Sequence, residues 1–301
     1  MKTIQEILDK ARSLGRKRIA VAAAQEHSAL EAACAAAEYG IAEPILIGDR
    51  AAVDRIAGEL GIDVSRFQCI DEKDNVKAAA KAVDLVRSGQ ADLLMKGILD
   101  TAVLLKAVLN KESGLNAGRL TSHVAVMETS SYHKLLVVTD AAINIAPDLP
   151  GKIDIIANAV QVAHALGISV PKVALLAAVE KVNWEKMPCT AEAAVLTQMN
   201  RRGQIKGCLV DGPLALDNAV SAERARIKGI VSEVAGDADV FVAPDIEAGN
   251  ILYKCLLDLG QAKGAGIVVG AAKPVVLTSR ADTGDVKLAS IALACVTAEQ
   301  R

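Results

Sequence analysis

The stretch RIAVAAAQEHSALEAACAAAEYGIAEPILIG, residues 18–48, determines how the rest of the chain is interpreted. It contains a short apolar run, Arg18–Ala23, then an alanine-rich amphipathic stretch, Ala29–Tyr39, and then a second apolar run, Pro44–Gly48. Gly40 directly follows the amphipathic stretch, as glycine commonly does at the C-terminal end of a helix. A strand, a helix and a strand in this order predict a βαβ unit with two parallel strands.

The same alternation of apolar runs and amphipathic stretches continues along nearly the whole chain. Further apolar runs that predict strands are Phe67–Asp71, Asp92–Lys96, His123–Met127, Leu135–Asp140, Val173–Ala177, Gly207–Val210, Val240–Ala243, Ile267–Gly270 and Pro274–Ser279. The stretches Val53–Leu60 and Asp154–Leu166 are amphipathic and also end before a glycine. Because strands alternate with helices, the sequence predicts the α/β class with mainly parallel sheets.

The 301 residues correspond to about two domains at roughly 150 residues per domain. The turn-rich segment Ala146–Gly151 is the best boundary, since no flexible linker or repeat is visible. The last strand, Pro274–Ser279, follows a short second series of strands, and we expect it to return to the first domain with the helix after it. The predicted domains are therefore 1–145 with 274–301, and 146–273.

Charge and composition exclude several classes of function. The chain has 34 Lys and Arg against 36 Asp and Glu, and its 2 Phe, 3 Tyr and 1 Trp are too few for a base-stacking surface. We therefore expect no nucleic-acid partner. No apolar run approaches the roughly 18 residues that span a bilayer, and no secretory signal pattern is present, so we expect no membrane partner and a cytoplasmic location. The 6 cysteines include no CxxC pair, and we expect no bound metal.

Small and polar residues recur where the predicted strands begin or end. They are Lys96 and Gly97 with Thr101, Ser122, Asn144, Asp211 with Gly212 and Pro213, and Asp245. Ligands of open parallel sheets bind at the carboxyl ends of the strands, so these residues predict a site for a phosphorylated substrate. At any single position the more frequent explanation is that a polar residue simply ends a buried strand. Their recurrence at several strand ends favours a site.

The segment Thr278–Asp285 places a hydroxyl group and a guanidinium group between a strand and the start of a helix. Arg280 offers the planar set of donors that binds an anion, and the helix N-terminus adds backbone donors. The alternative is that Asp282 or Thr283 caps the helix and that Arg280 forms a surface ion pair. No P-loop, zincin or serine-hydrolase motif occurs in the chain. This segment is the strongest candidate for an anion site.

Motifs spread over nearly the whole chain carry a family resemblance. They are Met95-Lys96-Gly97 with Thr101, Thr121-Ser122-His123, Thr139–Asn144, Val210–Ala215, Pro244-Asp245 with Gly249–Lys254, and Ser279–Asp282. Together they resemble the phosphate acetyl/butyryltransferases. The Asp-Gly-Pro-Leu-Ala and Ser-Arg-Ala-Asp runs are more similar to the butyryltransferase branch. The resemblance implies two three-layer α/β domains with mainly parallel sheets and an interdomain cleft, as in isocitrate and isopropylmalate dehydrogenases.

The resemblance also implies an activity, the conversion of butyryl-CoA and phosphate to butyryl phosphate and CoA. It implies no tightly bound cofactor, since acyl-CoA and phosphate are both substrates, and it implies a homodimer or higher homo-oligomer and a role in butyrate metabolism. In the family's direct transfer, an aspartate removes the CoA thiol proton while a serine and an arginine hold the reacting groups. By motif, the serine and the arginine are Ser279 and Arg280.

The position of the catalytic base differs from the family pattern. The acetyltransferase branch has its aspartate seven residues beyond the serine, where this chain has Val286. We predict Asp285 as the base, with a base elsewhere in the cleft as the alternative. Lys106 stands where that branch uses an arginine for its substrate anion, and an exposed helical lysine is the other explanation. The predicted substrate-binding residues are Lys96, Gly97, Thr101, Ser122, Asn144, Asp211, Gly212, Pro213, Asp245, Gly249, Asn250 and Lys254.

Three other functions are considered beside the butyryltransferase. The first is a phosphate acetyltransferase, because chain-length preference depends on the side chains of the acyl pocket. The second is an acyl-CoA-binding module without activity, which the Val286 departure allows. The third is an NAD-dependent decarboxylating dehydrogenase, which the family resembles in fold, although no metal-binding aspartate cluster is found on a single segment.

Overall fold

A computed structural model describes residues 1–279 and 282–299 as alternating strands and helices. The strands are β1 (Lys17–Ala22), β2 (Ala42–Gly48), β3 (Gln68–Asp71), β4 (Leu93–Lys96), β5 (Ser122–Glu128), β6 (Leu136–Thr139), β7 (Lys172–Leu176), β8 (Leu209–Leu214), β9 (Val240–Val242), β10 (Lys263–Val269) and β11 (Val275–Val276). The helices are α1 (Ile4–Ser13), α2 (His27–Tyr39), α3 (Arg50–Leu60), α4 (Asn75–Arg87), α5 (Thr101–Val108), α6 (Leu149–Ala165), α7 (Pro188–Arg201), α8 (Leu216–Val220), α9 (Ala222–Ile227), α10 (Ile246–Lys254), which a π-helical turn (Cys255–Leu259) continues, and α11 (Gly284–Ala298).

The chain divides into two compact units. The central unit comprises Leu120–Gly264 with Met1–Thr3, and the terminal unit comprises Ile4–Arg119 with Ala265–Arg301. The boundaries expected from the sequence lie elsewhere, after residues 145 and 273. They differ because β5 pairs with β6 and β6 pairs with β9, so all three strands are part of the central unit. Apolar runs alone do not reveal which strands pair.

The strands of the terminal unit lie in the order β3-β2-β1-β4-β11-β10, and neighbours are parallel except β10 and β11. β1 and β2 pair from Lys17 opposite Ala42 to Ala22 opposite Ile47, as the βαβ stretch predicts. The chain moves from β1 through β2 to β3 and then crosses to β4 on the other side of β1. Right-handed crossovers therefore place α2 and α3 on one face of the sheet and α4 on the other.

Capping residues define where the helices of the terminal unit begin and end. The carboxylate of Asp49 accepts hydrogen bonds from the first backbone N–H groups of α3, and Asp74 does the same for α4. Gly40 and Gly61 end α2 and α3 with φ angles of 84° and 67°, a left-handed conformation in which a side chain would be strained. The helix ends predicted at these two glycines are confirmed.

The strands of the central unit lie in the order β5-β6-β9-β7-β8, and β5 is antiparallel to β6. The other neighbours are parallel. Phe241 on β9 is 1% exposed and packs in a core with Met127, Val138 and Tyr253. Both units are therefore α/β with mainly parallel strands, and the predicted fold class is confirmed. In the part of the chain that the structure describes, no helix has the length and apolar character needed to cross a membrane.

β8 is longer than the sequence predicts. The expected strand, Gly207–Val210, placed Asp211, Gly212 and Pro213 beyond its end, whereas β8 runs through them to Leu214. The prediction stopped early because glycine and proline usually interrupt strands. β8 lies at the sheet edge, where a proline without a backbone N–H is tolerated, and its register with β7 is irregular between Ala174 and Leu176.

Candidate functional site

Two predicted site segments lie side by side at one edge of the terminal unit's sheet. β11 runs parallel to β4, with Val275 opposite Leu94 and Val276 opposite Met95. The carboxyl ends of the two strands therefore lie on the same side of the sheet; Lys96 is the last residue of β4, and Ser279 follows the end of β11 by three residues. The structure brings these two sequence-predicted residues onto neighbouring strand ends.

Lys96 is the last residue of β4 and is only 5% exposed. Its Nζ donates hydrogen bonds to the carbonyl oxygens of Gly97, at 3.1 Å, and Leu99, at 3.3 Å. The buried ammonium group thus holds the loop between β4 and α5 by its carbonyl groups. Thr101 is the first residue of α5, at the end of this loop.

Gly97 lies against the end of β1. A Cβ atom there would be 2.1 Å from the carbonyl oxygen of Ala23, closer than any side chain permits. Ala23 itself has a φ of 55°, in the left-handed region, and the Ala23 carbonyl accepts a hydrogen bond from the N–H of Ile98 at 2.8 Å. The glycine is therefore required for the close approach of the two strand ends.

The segment after β11 is held by its own polar groups and by a lysine. The backbone N–H of Ser279 donates to Oδ2 of Asp282 at 2.7 Å, and the N–H of Asp282 donates to the carbonyl of Ser279 at 3.2 Å. Nζ of Lys287 donates to the carbonyls of both residues, at 2.9 and 3.1 Å. Ser279 is exposed, as is Asp285 in the first turn of α11. Arg280 lies outside the described residues.

In the central unit, Asp140 organises the loop that follows β6. It is 4% exposed, and its Oδ1 accepts hydrogen bonds from the N–H groups of Ala142 and Ile143 at 2.9 and 3.0 Å. Its Oδ2 accepts from the N–H and the Nδ2 of Asn144, at 3.1 and 2.6 Å. Asn144 also donates to the carbonyl of Thr121 at 2.8 Å. Asn144, predicted to bind substrate, is here a link between two loops.

The N-terminal half of α10 packs against this loop. Asp245 caps the helix by accepting from the N–H of Ala248 at 2.9 Å, and Asn250 donates to the carbonyl of Ala141 at 3.0 Å. A Cβ on Gly249 would be 2.2 Å from the carbonyl oxygen of Asp140. The structure therefore brings Asn144, Gly249 and Asn250 together around Asp140, and Asp245 acts as an N-cap beside them.

Ser122 begins β5, and its side chain is fully buried. Its Oγ accepts a hydrogen bond from Nδ2 of Asn158 on α6 at 2.9 Å. The next residue, His123, contacts the ring of Tyr253 edge to face at 5.7 Å. The Nζ of Lys254, the last residue of α10, lies 5.3 Å from the centre of that same ring. These contacts anchor the residues that flank the Asp140 loop.

The structure does not bring Asp211, Gly212 and Pro213 to the Asp140 loop. They lie within β8, which is three strands away from β6, or about 14 Å at roughly 4.8 Å per strand. Oδ1 of Asp211 accepts a hydrogen bond from the N–H of Gly212 at 2.9 Å. The Asp211 side chain instead lines a separate cavity of about 370 Å³ with Asn200, Arg201 and Glu233.

Sequence reasoning left two organising residues off its set of site residues. Asp140 follows a buried strand inside one of the quoted motifs, but its four hydrogen bonds come from residues later in the chain. Lys287 lies in an apolar helix and is 1% exposed. A lysine that interrupts the apolar face of a helix is the signal that would have identified it.

Burial keeps three cysteines in the thiol form. It raises the pKa of Cys34 and of Cys208 to about 11 and that of Cys295 to about 12, because the thiolate would lose its hydration. None of these three thiols offers a nucleophile at neutral pH. Within residues 1–279 and 282–299, no three His, Cys, Asp or Glu side chains come together as possible metal ligands.

The chain belongs to the phosphate acetyl/butaryl transferase family, which it matches over residues 2–81 and 72–295. It is 52% identical to a phosphate butyryltransferase of Clostridium acetobutylicum, with 99% of each chain covered. It is 45% identical to a phosphate acetyltransferase of Thermotoga maritima, over 98% of this chain and 99% of the relative. The crystal structure of a branched-chain phosphotransacylase from Enterococcus faecalis superposes with a TM-score of 0.83 and 35% identity, covering 94% of this chain and 99% of the other. The family resemblance predicted from the motifs is confirmed.

Proposed function

We propose that this protein exchanges a short-chain acyl group between CoA and inorganic phosphate, converting butyryl-CoA and phosphate to butyryl phosphate and CoA. The observation that carries the proposal is the 52% identity, over 99% of both chains, to a relative named phosphate butyryltransferase. The positions of Lys96 and Ser279 at and beyond the carboxyl ends of two neighbouring parallel strands support it, because ligands of parallel sheets bind there.

The transfer is direct, without an acyl-enzyme. An oxygen of phosphate attacks the thioester carbonyl, the carbon–sulfur bond breaks, and the thiolate leaves. In the reverse direction Asp285 removes the thiol proton, and the thiolate attacks the carbonyl of the acyl phosphate with loss of phosphate. Asp285 suits this role because its carboxylate is exposed in the first turn of α11, where a thiol can reach it.

Ser279 and Arg280 hold the reacting groups. Ser279 is exposed and both its backbone N–H and its carbonyl are hydrogen-bonded, so a held backbone presents its hydroxyl group to the substrate. Arg280 binds phosphate oxygens with its guanidinium group. The other proposed substrate contacts are Lys96, Gly97 and Thr101 in the terminal unit, and Asn144, Asp245, Gly249, Asn250 and Lys254 in the central unit. Asp211, Gly212 and Pro213 are left out because they lie within β8, away from the Asp140 loop, and Ser122 is left out because its side chain is fully buried against Asn158.

The same proposal covers the cellular setting of the enzyme. It acts in the cytoplasm in butyrate metabolism, with CoA and phosphate as substrates rather than tightly bound cofactors, and it works as a homodimer or higher homo-oligomer. Size-exclusion chromatography with light scattering tests the assembly, and a mass of about 31 kDa, that of a single chain, would contradict it.

The direct test is CoA release from acetyl-, propionyl-, butyryl- and isobutyryl-CoA, with and without phosphate. We expect phosphate-dependent release that is greatest for butyryl-CoA. We expect Arg280→Ala to lower kcat/KM about 100-fold, since it removes a charged contact to the reacting anion. Arg55→Ala is the matched control, because Arg55 forms an exposed ion pair with Glu59 on α3.

The outcomes separate the possible substrates. Release that is greatest for acetyl-CoA would identify a phosphate acetyltransferase, the activity named for the Thermotoga relative. Absence of phosphate-dependent release from all four thioesters would refute the transferase. Equal activity of Arg280→Ala and Arg55→Ala would refute the role of Arg280.

A further inference from the structure

Lys287 is a charged side chain enclosed in the first turns of α11. Only 1% of its surface is exposed. Its Nζ donates to the carbonyl of Ser279 at 2.9 Å and to that of Asp282 at 3.1 Å. Both carbonyls belong to the segment between β11 and α11, which the proposed function assigns to the reacting phosphate. Within residues 1–279 and 282–299, these neutral oxygens are its hydrogen-bond partners, and no carboxylate pairs with it.

A buried ammonium group without a counter-ion is costly, because carbonyl dipoles replace only part of its hydration. The positive end of the α11 helix dipole lies close to Lys287 and adds to that cost. Lys152, a second buried lysine, shows the usual compensation, since it forms an ion pair with Glu192. The carboxylate of Asp282, which accepts from the N–H of Ser279, offsets part of the positive potential around Lys287, and a bound anion would offset more of it.

The direction of the two hydrogen bonds matters for the segment after β11. A carbonyl oxygen that faced an anion would repel it. Because the carbonyls of Ser279 and Asp282 accept hydrogen bonds from Lys287, their oxygens point to the ammonium group instead of to an anion bound beside Ser279. The N–H of Ser279 also donates a hydrogen bond to the carboxylate of Asp282, at 2.7 Å. Lys96 holds the neighbouring loop in the same way, by the carbonyls of Gly97 and Leu99.

We infer that Lys287 is a positioning residue for phosphate. It holds the carbonyl groups of Ser279 and Asp282, and its charge strengthens anion binding beside Ser279 without contact with the substrate. The inference rests on the proposed function, because it assigns this segment to phosphate. It predicts an effect on the KM for phosphate that a purely structural lysine would not produce.

The experiment compares Lys287→Met, Lys287→Arg and the control Lys152→Met with the unmodified enzyme. The measurements are KM for phosphate, KM for butyryl-CoA, and the rise in Tm on addition of inorganic phosphate. For Lys287→Met we expect KM for phosphate to rise about 10-fold, KM for butyryl-CoA to change less than about 3-fold, and the phosphate-induced rise in Tm to shrink. Without phosphate its Tm should be unchanged or higher, since a buried cation is removed.

Two matched variants make the result specific. Lys287→Arg retains the charge and should return KM for phosphate to within about 3-fold of the original value. Lys152→Met should show the opposite pattern, a lower Tm with KM for phosphate unchanged, because it leaves the Glu192 carboxylate unpaired. If Lys287→Met does not fold, Lys287→Gln replaces it, since glutamine retains a donor and lacks the charge.

The possible failures are distinguishable. If the unmodified enzyme releases CoA with phosphate but Lys287→Met keeps its KM for phosphate, Lys287 is structural and the inference is wrong. A fall in Tm without a change in KM leads to the same conclusion. If the unmodified enzyme shows no phosphate-dependent release, the proposed function fails and the inference fails with it.

Discussion

In the terminal unit, two buried lysine side chains hold the segments that follow β4 and β11. In the central unit, a buried carboxylate holds the loop that follows β6. Lys96 and Lys287 donate to carbonyl oxygens, so those oxygens point inward. Asp140 accepts from three backbone N–H groups and an amide, so those donors point inward instead. A phosphate is attracted by positive charge, which the two buried ammonium groups supply in the terminal unit, whereas the donors around Asp140 are already used by its carboxylate.

The contrast also explains why Asp140 is a poor candidate for the base. Four donors occupy its two oxygens, whereas Asp285 is exposed on the first turn of α11. A general base must be within reach of the proton that it takes. We therefore regard Asp140 as the residue that shapes the central unit's loop, and Asp285 remains the proposed base.

Among the substitutions that test this difference between the two units, Asp140→Asn should have the largest effect. The change keeps the shape but replaces one acceptor oxygen with an NH₂ group that faces the donors around it. We expect a loss of about 3 to 4 kcal/mol in the free energy of unfolding, measured by urea denaturation, because buried donors lose their charged acceptor. A loss below about 1 kcal/mol would show that the carboxylate does not organise the loop.

A smaller effect tests one close-contact glycine in each unit, Gly97 directly after β4 and Gly249 within α10. Gly97→Ala and Gly249→Ala each bring a Cβ to within 2.1 to 2.2 Å of a backbone oxygen. We expect each to lower the free energy of unfolding by about 2 to 3 kcal/mol, because backbone must move. Of the two, Gly97→Ala should also raise KM for phosphate, since Gly97 follows Lys96 in the unit that we propose binds phosphate.

Gly58→Ala is the control for these substitutions. Gly58 lies within α3, and a Cβ there meets no atom within 4 Å. Since alanine favours the helix, the variant should be more stable by about 0.5 to 1 kcal/mol. Equal behaviour of the three variants in chemical denaturation would contradict the close contacts at Gly97 and Gly249.

The smallest effect concerns a carboxylate of the central unit that is paired with lysines instead of backbone donors. Burial alone would raise the pKa of Asp237, but hydrogen bonds from Lys172 and Lys134 outweigh it and hold that pKa well below its usual range. A lowered folded-state pKa stabilises the protein above the unfolded pKa, near 4, and the stabilisation disappears as the pH falls toward the folded value. Its side chain is 41% exposed, so solvent screening limits the effect.

We therefore expect Asp237→Asn to lower the free energy of unfolding by about 1 kcal/mol or less at pH 7. The difference from the unmodified protein should shrink as the pH is lowered from 5 toward 2. Denaturation curves over that pH range measure it. A difference that stays constant with pH would show that the lysine pairs do not stabilise the charged form.

Local patterns in the sequence correctly predicted the structural features that depend only on residues close together in the chain. The βαβ stretch, and the helix ends at Gly40 and Gly61, follow from hydrophobic periodicity and from the left-handed conformation that glycine permits. The antiparallel pairing of β5 with β6 could not be predicted in this way, because a buried strand has the same pattern in either direction.

The candidate site likewise has residues that the sequence predicted and residues that it did not. The motifs indicated Lys96 and Ser279, and the pairing of β4 with β11 places them at one edge. The partners of Asp140 and the role of Lys287 depend on how loops fold back onto side chains, which residue spacing does not determine. For Asp211 the spacing was misleading, because a strand continued through a glycine and a proline.

The position of β11 between β4 and β10 has a consequence for synthesis on the ribosome. Strands β1 to β4 emerge early, but the neighbour that covers β4 is translated about 180 residues later, after roughly 10 to 35 s at ordinary elongation rates. Throughout that interval the side of β4 that later pairs with β11 has no partner strand, while Leu120–Gly264, the main part of the central unit, is completed. Nascent chains that stall before Val275 should therefore be the ones that aggregate or recruit chaperones.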